Sequence, residues 1–205
     1  MSNYLIVHAE RKHSKNKFED YCLTGLRAKD MYLSKDGKVK TLELSDALKT
    51  YNLQEIICNP NTASVQTAKI LSNNLKILSS NKNYLLSVKY DFSQFTNYKL
   101  WEKLSPNKEE MVSLRSRSLQ FFLEDKLLEP KSEIIQRFKK LEEKLQNSDN
   151  LLVISQAYYL KLFYLYLNTR FEASFENMKN LMNVDDYLYQ PLGGYLYPNL
   201  TKFKI

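Results

Sequence analysis

The sequence contains little glycine, cysteine or histidine. Of its 205 residues, 4 are Gly, 2 are Cys and 2 are His. Four glycines are too few for a Gly-rich nucleotide-binding loop, and Cys22 and Cys58 permit at most one disulfide. Two Cys and two His at these spacings do not match a zinc-ligand pattern, so we predict no metal and no other cofactor. Reduced thiols in the cytoplasm are the ordinary expectation for such a chain.

Long hydrophobic runs are also missing. The apolar run at residues 4–7 is too short for the core of a signal peptide. The most apolar later stretch, residues 151–167, contains Ser155, Gln156 and Lys161, which favours a core strand and helix over a membrane span. We therefore expect a cytoplasmic protein that does not interact with membranes, folded as one globular domain over residues 1–205.

Positive charge exceeds negative charge, with 30 Lys and Arg against 23 Asp and Glu and a net charge of +7. Such an excess permits attraction to nucleic acid, an acidic protein or anionic lipid. Aromatic residues do not alternate with the cations in a nucleic-acid recognition pattern. We therefore do not expect nucleic-acid binding, and a solvated lysine-rich surface explains the charge.

Strand-like and helix-like patterns alternate along the chain. Strands are predicted at 4–7, 53–58, 85–88, 151–155 and 195–197, and helices at 41–51, 63–75, 132–146 and 157–167. Ser34 to Gly37 is a turn signal, and Ser132 is the expected N-cap of the third helix. Repeated β-α-β units predict a three-layer α/β/α fold with a mostly parallel central sheet.

Three polar segments follow predicted strands directly. They contain His8, the pair Asn59-Pro60, and the pair Ser155-Gln156. In mostly parallel sheets, ligands bind beyond the carboxyl ends of the strands. We expect these three segments to form one rim with a ligand site.

The rim segments resemble the histidine phosphatase superfamily, whose fold is phosphoglycerate mutase-like. That family has Arg-His-Gly, Leu-Thr-x-x-Gly, Ser-Pro, Arg-Ala-x-Gln-Thr-Ala and Ser-His-Gly, in this order. The corresponding stretches here are Val7-His8-Ala9, Leu33-Ser34-Lys35-Asp36-Gly37, Asn59-Pro60, Ala63-Ser64-Val65-Gln66-Thr67-Ala68 and Ser155-Gln156-Ala157. The matches are collinear and leave residues 12–32 and 91–131 unmatched. We interpret the region around 91–131 as an inserted helical and aromatic segment.

The resemblance implies phosphoryl transfer to His8 and also indicates what is missing for it. The family surrounds the phosphoryl group with two Arg and a second His, and these positions are Val7, Ala63 and Gln156 here. The acid position falls at residue 88 or 89, where neither residue is acidic, and Asp91 is the nearest substitute. Each lost donor typically costs about 10²–10³ in rate. We therefore expect a pseudoenzyme, inactive or very weak, that acts as a binding or regulatory module.

Two alternatives remain open. Arg11 and Lys12, together with His13, lie just past the first strand and could return charge to the pocket beside Gln156. The chain would then be a phosphomonoester phosphatase or phosphomutase with His8 as nucleophile. In either case the expected partner is a phosphate-containing small molecule or a protein. The Tyr-rich helix at 157–167 either faces the core or forms a homodimer contact.

Overall fold

One six-stranded sheet forms the centre of the molecule. The computed structural model describes residues 3–12, 32–77, 79–88, 108–183 and 190–203. The strands are β1 (Asn3–Val7), β2 (Glu55–Cys58), β3 (Ser79–Lys82), β4 (Leu151–Ser155), β5 (Gly194–Tyr197) and β6 (Thr201–Phe203). Their order in the sheet is β3-β2-β4-β1-β5-β6. The first four strands in this order are parallel, and β5 and β6 are added antiparallel, so the predicted mostly parallel sheet is confirmed.

Helices cover both faces of the sheet. They are α1 (Lys35–Leu48), α2 (Thr62–Leu75), α3 (Lys108–Leu123), α4 (Lys131–Gln146), α5 (Ala157–Thr169) and α6 (Phe175–Asn183), with short 3-10 helices at Lys49–Tyr51 and Tyr84–Leu86. Successive strand residues point to opposite faces, so Tyr4 and Ile6 pack with α1 and α2. Leu5 and Val7 pack with α3, α4, α5 and α6. This arrangement confirms the three-layer fold.

The first helix begins earlier than predicted. Residues 34–37 form the start of α1 and not a separate turn, because the Ser34 Oγ caps the helix by accepting from Gly37 N at 2.9 Å. Ser and Asp favour turns, but they equally favour an N-cap and a first helical turn. The sequence pattern alone did not distinguish these two uses.

The third strand was assigned to the wrong segment. Residues 85–88 are not a strand: the 3-10 helix Tyr84–Leu86 runs into them, and the strand is β3 at Ser79–Lys82. All four residues of β3 are exposed, because β3 lies at the edge of the sheet and, among the described strands, pairs only with β2. An exposed polar edge strand has no hydrophobic pattern to reveal it, whereas Leu86 and Val88 are apolar because they are buried.

Two helices in the second half differ from expectation in detail. Helix α4 begins at Lys131 with Pro130 at the N-cap, so Ser132 is not the cap. Lys131 N instead donates to Asp125 Oδ1. Tyr158, Tyr159 and Phe163 of α5 are buried in the core, so this helix faces inward, and homodimer formation stays a prediction. In the described part of the chain, no helix is both long enough and apolar enough to cross a membrane.

Candidate functional site

The three predicted rim segments lie together at the carboxyl ends of adjacent strands. Strand β4 lies between β1 and β2. His8 N donates to Ser155 O at 3.0 Å, and Asn59 N donates to Ile154 O at 2.8 Å. These bonds continue the parallel pairing past the strand ends. His8, Asn59 and Gln156 therefore follow three neighbouring strands at one edge of the sheet.

His8 is held as a neutral imidazole. Its Nδ1 lies 2.8 Å from the carbonyl oxygen of Ala9. A carbonyl can only accept, so this contact assigns the proton to Nδ1 and the lone pair to Nε2. Burial lowers the pKa of His8 to about 4, and the positive charge of Arg11 acts in the same direction. At neutral pH the ring therefore has the form required of a nucleophile.

A group of hydrogen bonds, which we call the backbone scaffold, fixes the segments around His8. Thr67 Oγ1 accepts from Ala9 N at 3.1 Å and donates to Ala63 O at 2.8 Å. Gln66 Oε1 accepts from Leu33 N at 2.8 Å. The Gln-Thr pair that carries part of the family resemblance therefore binds backbone groups. It joins the segment after β1 and the segment before α1 to helix α2.

The start of α1 belongs to the same backbone scaffold. Ser34 N donates to Glu10 O at 3.0 Å, and Ser34 Oγ lies 3.1 Å from Glu10 Oε2. A Cβ atom added to Gly37 would lie 2.3 Å from the backbone oxygen of Glu10. Residue 37 must therefore lack a side chain for α1 to pack this closely against the chain that follows His8.

Three residues that the sequence resemblance aligns with cationic or imidazole groups are what we call the charge lining. Val7 ends β1 with 4% of its surface exposed, and Ala63 lies in the first turn of α2 with 2% exposed. Both belong to the hydrophobic core. Gln156 is half-buried, and as the N-cap of α5 it makes no capping side-chain bond within the described residues. The charge lining therefore carries no formal charge.

Of the two cations predicted to substitute in the pocket, Arg11 acts electrostatically on His8, whereas the Lys12 side chain is exposed. Arg11 pairs with Leu33 in an isolated antiparallel bridge, and its charge lowers the pKa of His8. Lys12 N donates to Tyr32 O at 2.8 Å, and the Lys12 side chain is exposed. Asp91 and His13 lie outside the described residues. Among the residues that are described, no group of three His, Cys, Asp or Glu is arranged to hold a metal ion.

Sequence reasoning missed one structural feature of the rim. The carbonyl oxygen of Leu86 accepts from Asn59 Nδ2 at 2.5 Å and from Ser155 Oγ at 2.7 Å. Both donors are buried. They fix the segment that leads toward residues 88 and 89, the expected acid position. Two polar residues at neighbouring strand ends were the available signal, but their common partner is distant in sequence.

Solved structures of other proteins support the fold assignment, whereas sequence comparisons give no match. No protein-family model matches the chain, and no curated protein matches its sequence. Among solved structures, the chain is similar to a mycobacterial glucosyl-3-phosphoglycerate phosphatase (TM-score 0.61, 11% identity, 95% of this chain and 88% of that chain covered). It is also similar to YhfR of Bacillus stearothermophilus (TM-score 0.61, 14% identity, 98% and 94% covered). A third similar structure is a phosphoserine phosphatase variant from Entamoeba histolytica in complex with phosphoserine (TM-score 0.57, 15% identity, 95% and 89% covered). The chain thus has the histidine phosphatase fold.

Proposed function

We propose that this protein is a degenerate histidine phosphatase whose His8 pocket binds a phosphate-containing small molecule or protein partner with little or no turnover. One observation carries the proposal. Two positions of the charge lining, Val7 and Ala63, are apolar residues buried in the core. A dianionic phosphoryl group beside His8 therefore has no cation from either position, where transfer requires positive charge.

The expected loss of rate is large. Removing one preorganised donor costs about 10²–10³ in rate, and losing a general acid costs about 10²–10⁴ more. These effects do not simply add. Three positions lack the family's charged or imidazole groups, and the acid position has no acidic residue. Together these changes should leave little of the rate that is usual for the family.

The groups that remain suit binding better than transfer. The Gln156 amide and the neutral His8 ring offer hydrogen bonds, and Arg11 contributes a positive charge near the ring. The first turn of α5 has no side-chain cap from Gln156, and the N-terminus of a helix attracts anions. These groups can bind an anion, but they do not supply the positive charge that a phosphoryl-transfer transition state needs. Such a site favours an adaptor or regulatory role.

Turnover and binding can be measured separately. We expect p-nitrophenyl phosphate and a panel of phosphosugars to give no turnover that differs between the wild type and His8→Ala. Inorganic phosphate should shift the amide resonances of residues 8–12 and 156–159 in NMR spectra, and His8→Ala should weaken these shifts. Wild-type turnover that disappears in His8→Ala would contradict the proposal.

The alternative is a slow phosphatase or phosphomutase with Arg11 as the phosphate clamp. It is favoured by the tautomer of His8, because the Nε2 lone pair is available for attack on phosphorus. Under this alternative, Arg11→Gln lowers turnover by about 10²-fold, while the matched control Lys12→Gln changes it little. Equal effects of the two substitutions would leave no support for a clamp at Arg11.

We also propose a cytoplasmic location. Cys58 is a buried free thiol, which is compatible with a reducing compartment. Fractionation of cells that express the chain tests this location, and recovery from an extracytoplasmic fraction would contradict it.

A further inference from the structure

A cavity lies beside the edge strand β3. It has a volume of about 590 Å³, within the usual range for small-molecule pockets. The 3-10 helix after β3 and the first half of α4 form its walls. The polar residues lining it are Lys82, Asn83, Ser87, Glu129, Glu133 and Arg137.

A buried ion pair forms part of this wall. Arg137 Nη2 lies 2.7 Å from Glu129 Oε2, and the two side chains are 18% and 6% exposed. The Nε of Arg137 is buried without a hydrogen-bond partner among the described residues. An unpaired buried donor typically costs about 1–3 kcal/mol.

A second unpaired group lies near the ion pair. The hydroxyl of Tyr159 is fully buried and also lacks a hydrogen-bond partner in the described part of the chain. The charges of Arg137 and Glu129 both act on this hydroxyl. Tyr hydroxyls in protein interiors usually find a partner. Two of the buried polar groups without a partner in the described part of the chain, on Arg137 and Tyr159, therefore lie close to the Glu129 carboxylate.

The charges around the cavity determine which ligand suits it. Lys82 and Arg137 contribute two positive charges, and Glu129 and Glu133 contribute two negative ones. The net charge of the side chains that line the cavity is therefore zero. A simple anion is repelled by the carboxylates, and a simple cation is repelled by Lys82 and Arg137. A hydroxyl group both donates and accepts, so neighbouring hydroxyls can donate to a carboxylate and accept from a cation. We propose that this cavity binds an uncharged polyhydroxyl ligand, a sugar or a polyol.

The Lys82 end of this cavity lies away from His8, while Ser87 at its other side adjoins residue 88, the expected acid position. Strand β3, which ends at Lys82, is three positions from β1 in the sheet. Neighbouring strands lie about 4.8 Å apart, which separates the two strand ends by roughly 14 Å. Binding in the cavity does not require His8, so the two proposals can fail independently.

NMR titration of the full chain with D-glucose and with sorbitol tests the proposal. We expect both to shift amide resonances in residues 82–87 and 129–137, with weak, saturable binding that His8→Ala leaves unchanged. Serine, a zwitterion, and inorganic phosphate serve as charged comparison ligands. Larger shifts of the same amides by serine or phosphate than by the polyols would overturn the proposal, as would no shift by either polyol.

Variants on the exposed rim of α4 sharpen the test without breaking the ion pair. Glu133→Gln removes one carboxylate and leaves the cavity with a net positive charge. It should weaken glucose binding several-fold and strengthen phosphate binding at the same amides. Glu143→Gln is the matched control, because Glu143 is exposed on the same helix and does not line the cavity. An equal effect of the two substitutions on glucose binding would also overturn the proposal.

Discussion

The backbone scaffold and the charge lining belong to the same rim as His8, but they differ in how well they match the histidine phosphatases. The scaffold is intact, with Thr67 bound to Ala9 N and Gln66 bound to Leu33 N. The charge lining is Val7, Ala63 and Gln156. Scaffold bonds satisfy backbone donors that would be costly to leave unpaired, so the fold depends on them. The apolar residues at positions 7 and 63 add to the hydrophobic core.

Restoring the charge lining on the intact scaffold should have the largest effect. We expect Val7→Arg, Ala63→Arg and Gln156→His together to raise turnover of p-nitrophenyl phosphate by about 10²-fold or more, because each donor stabilises transition-state charge. The control is the same triple variant with His8→Ala, which should remove the gain. A folded triple variant with wild-type turnover would show that the scaffold no longer positions a working site. Circular dichroism checks the fold.

Breaking the scaffold at Gly37 should destabilise the whole domain. An added Cβ would lie 2.3 Å from the backbone oxygen of Glu10, so Gly37→Ala should lower the free energy of unfolding by about 3 kcal/mol. Within a helix, Gly to Ala ordinarily stabilises by up to about 1 kcal/mol, so the sign itself is diagnostic. Urea denaturation measures the change, with Lys40→Ala as an exposed control on the same helix. Stabilisation by Gly37→Ala would contradict the close packing of α1.

A single scaffold bond should contribute less. Thr67→Val removes the acceptor of the buried Ala9 N–H, so the free energy of unfolding should fall by about 1–2 kcal/mol. Thr67→Ser keeps the hydroxyl and should cost less than Thr67→Val. Denaturant titration of both variants gives the comparison. If Thr67→Ser cost as much as Thr67→Val, the methyl group would contribute as much as the hydroxyl, which would contradict a dominant role for the hydrogen bond.

The smallest expected effect is the pH dependence linked to His8. Its pKa is lowered from 6.5 to about 4 in the folded protein, so the unfolded chain binds more protons between those pH values. Stability should therefore fall as pH drops from 6.5 to 4 and be unaffected by His8 above 6.5. Because the side chain is half-buried, we expect about 1 kcal/mol from this residue. Thermal unfolding of wild type and His8→Asn across this range isolates the contribution, and parallel pH curves would contradict it.

Prediction from sequence succeeded where burial leaves a pattern. The run at residues 151–155 is buried on both sides and was assigned correctly as the interior strand β4. It failed at β3, where all four residues are exposed and the edge position imposes no apolar pattern. At Ser34, turn chemistry and helix-capping chemistry use the same residue types, so the assignment depended on a partner at Gly37.

The sequence by itself determined the identity of each group that could do chemistry. It showed His8, the uncharged residues Val7, Ala63 and Gln156, and the order of the segments that contain them. Only the tertiary structure decided the state of these groups. The bond from His8 to Ala9, the partners of Thr67 and Gln66, the influence of Arg11 on His8, and the cavity beside Arg137 all depend on contacts in space. Residue types follow from covalent sequence, whereas protonation, burial and hydrogen-bond partners follow from distances that the fold creates between remote segments.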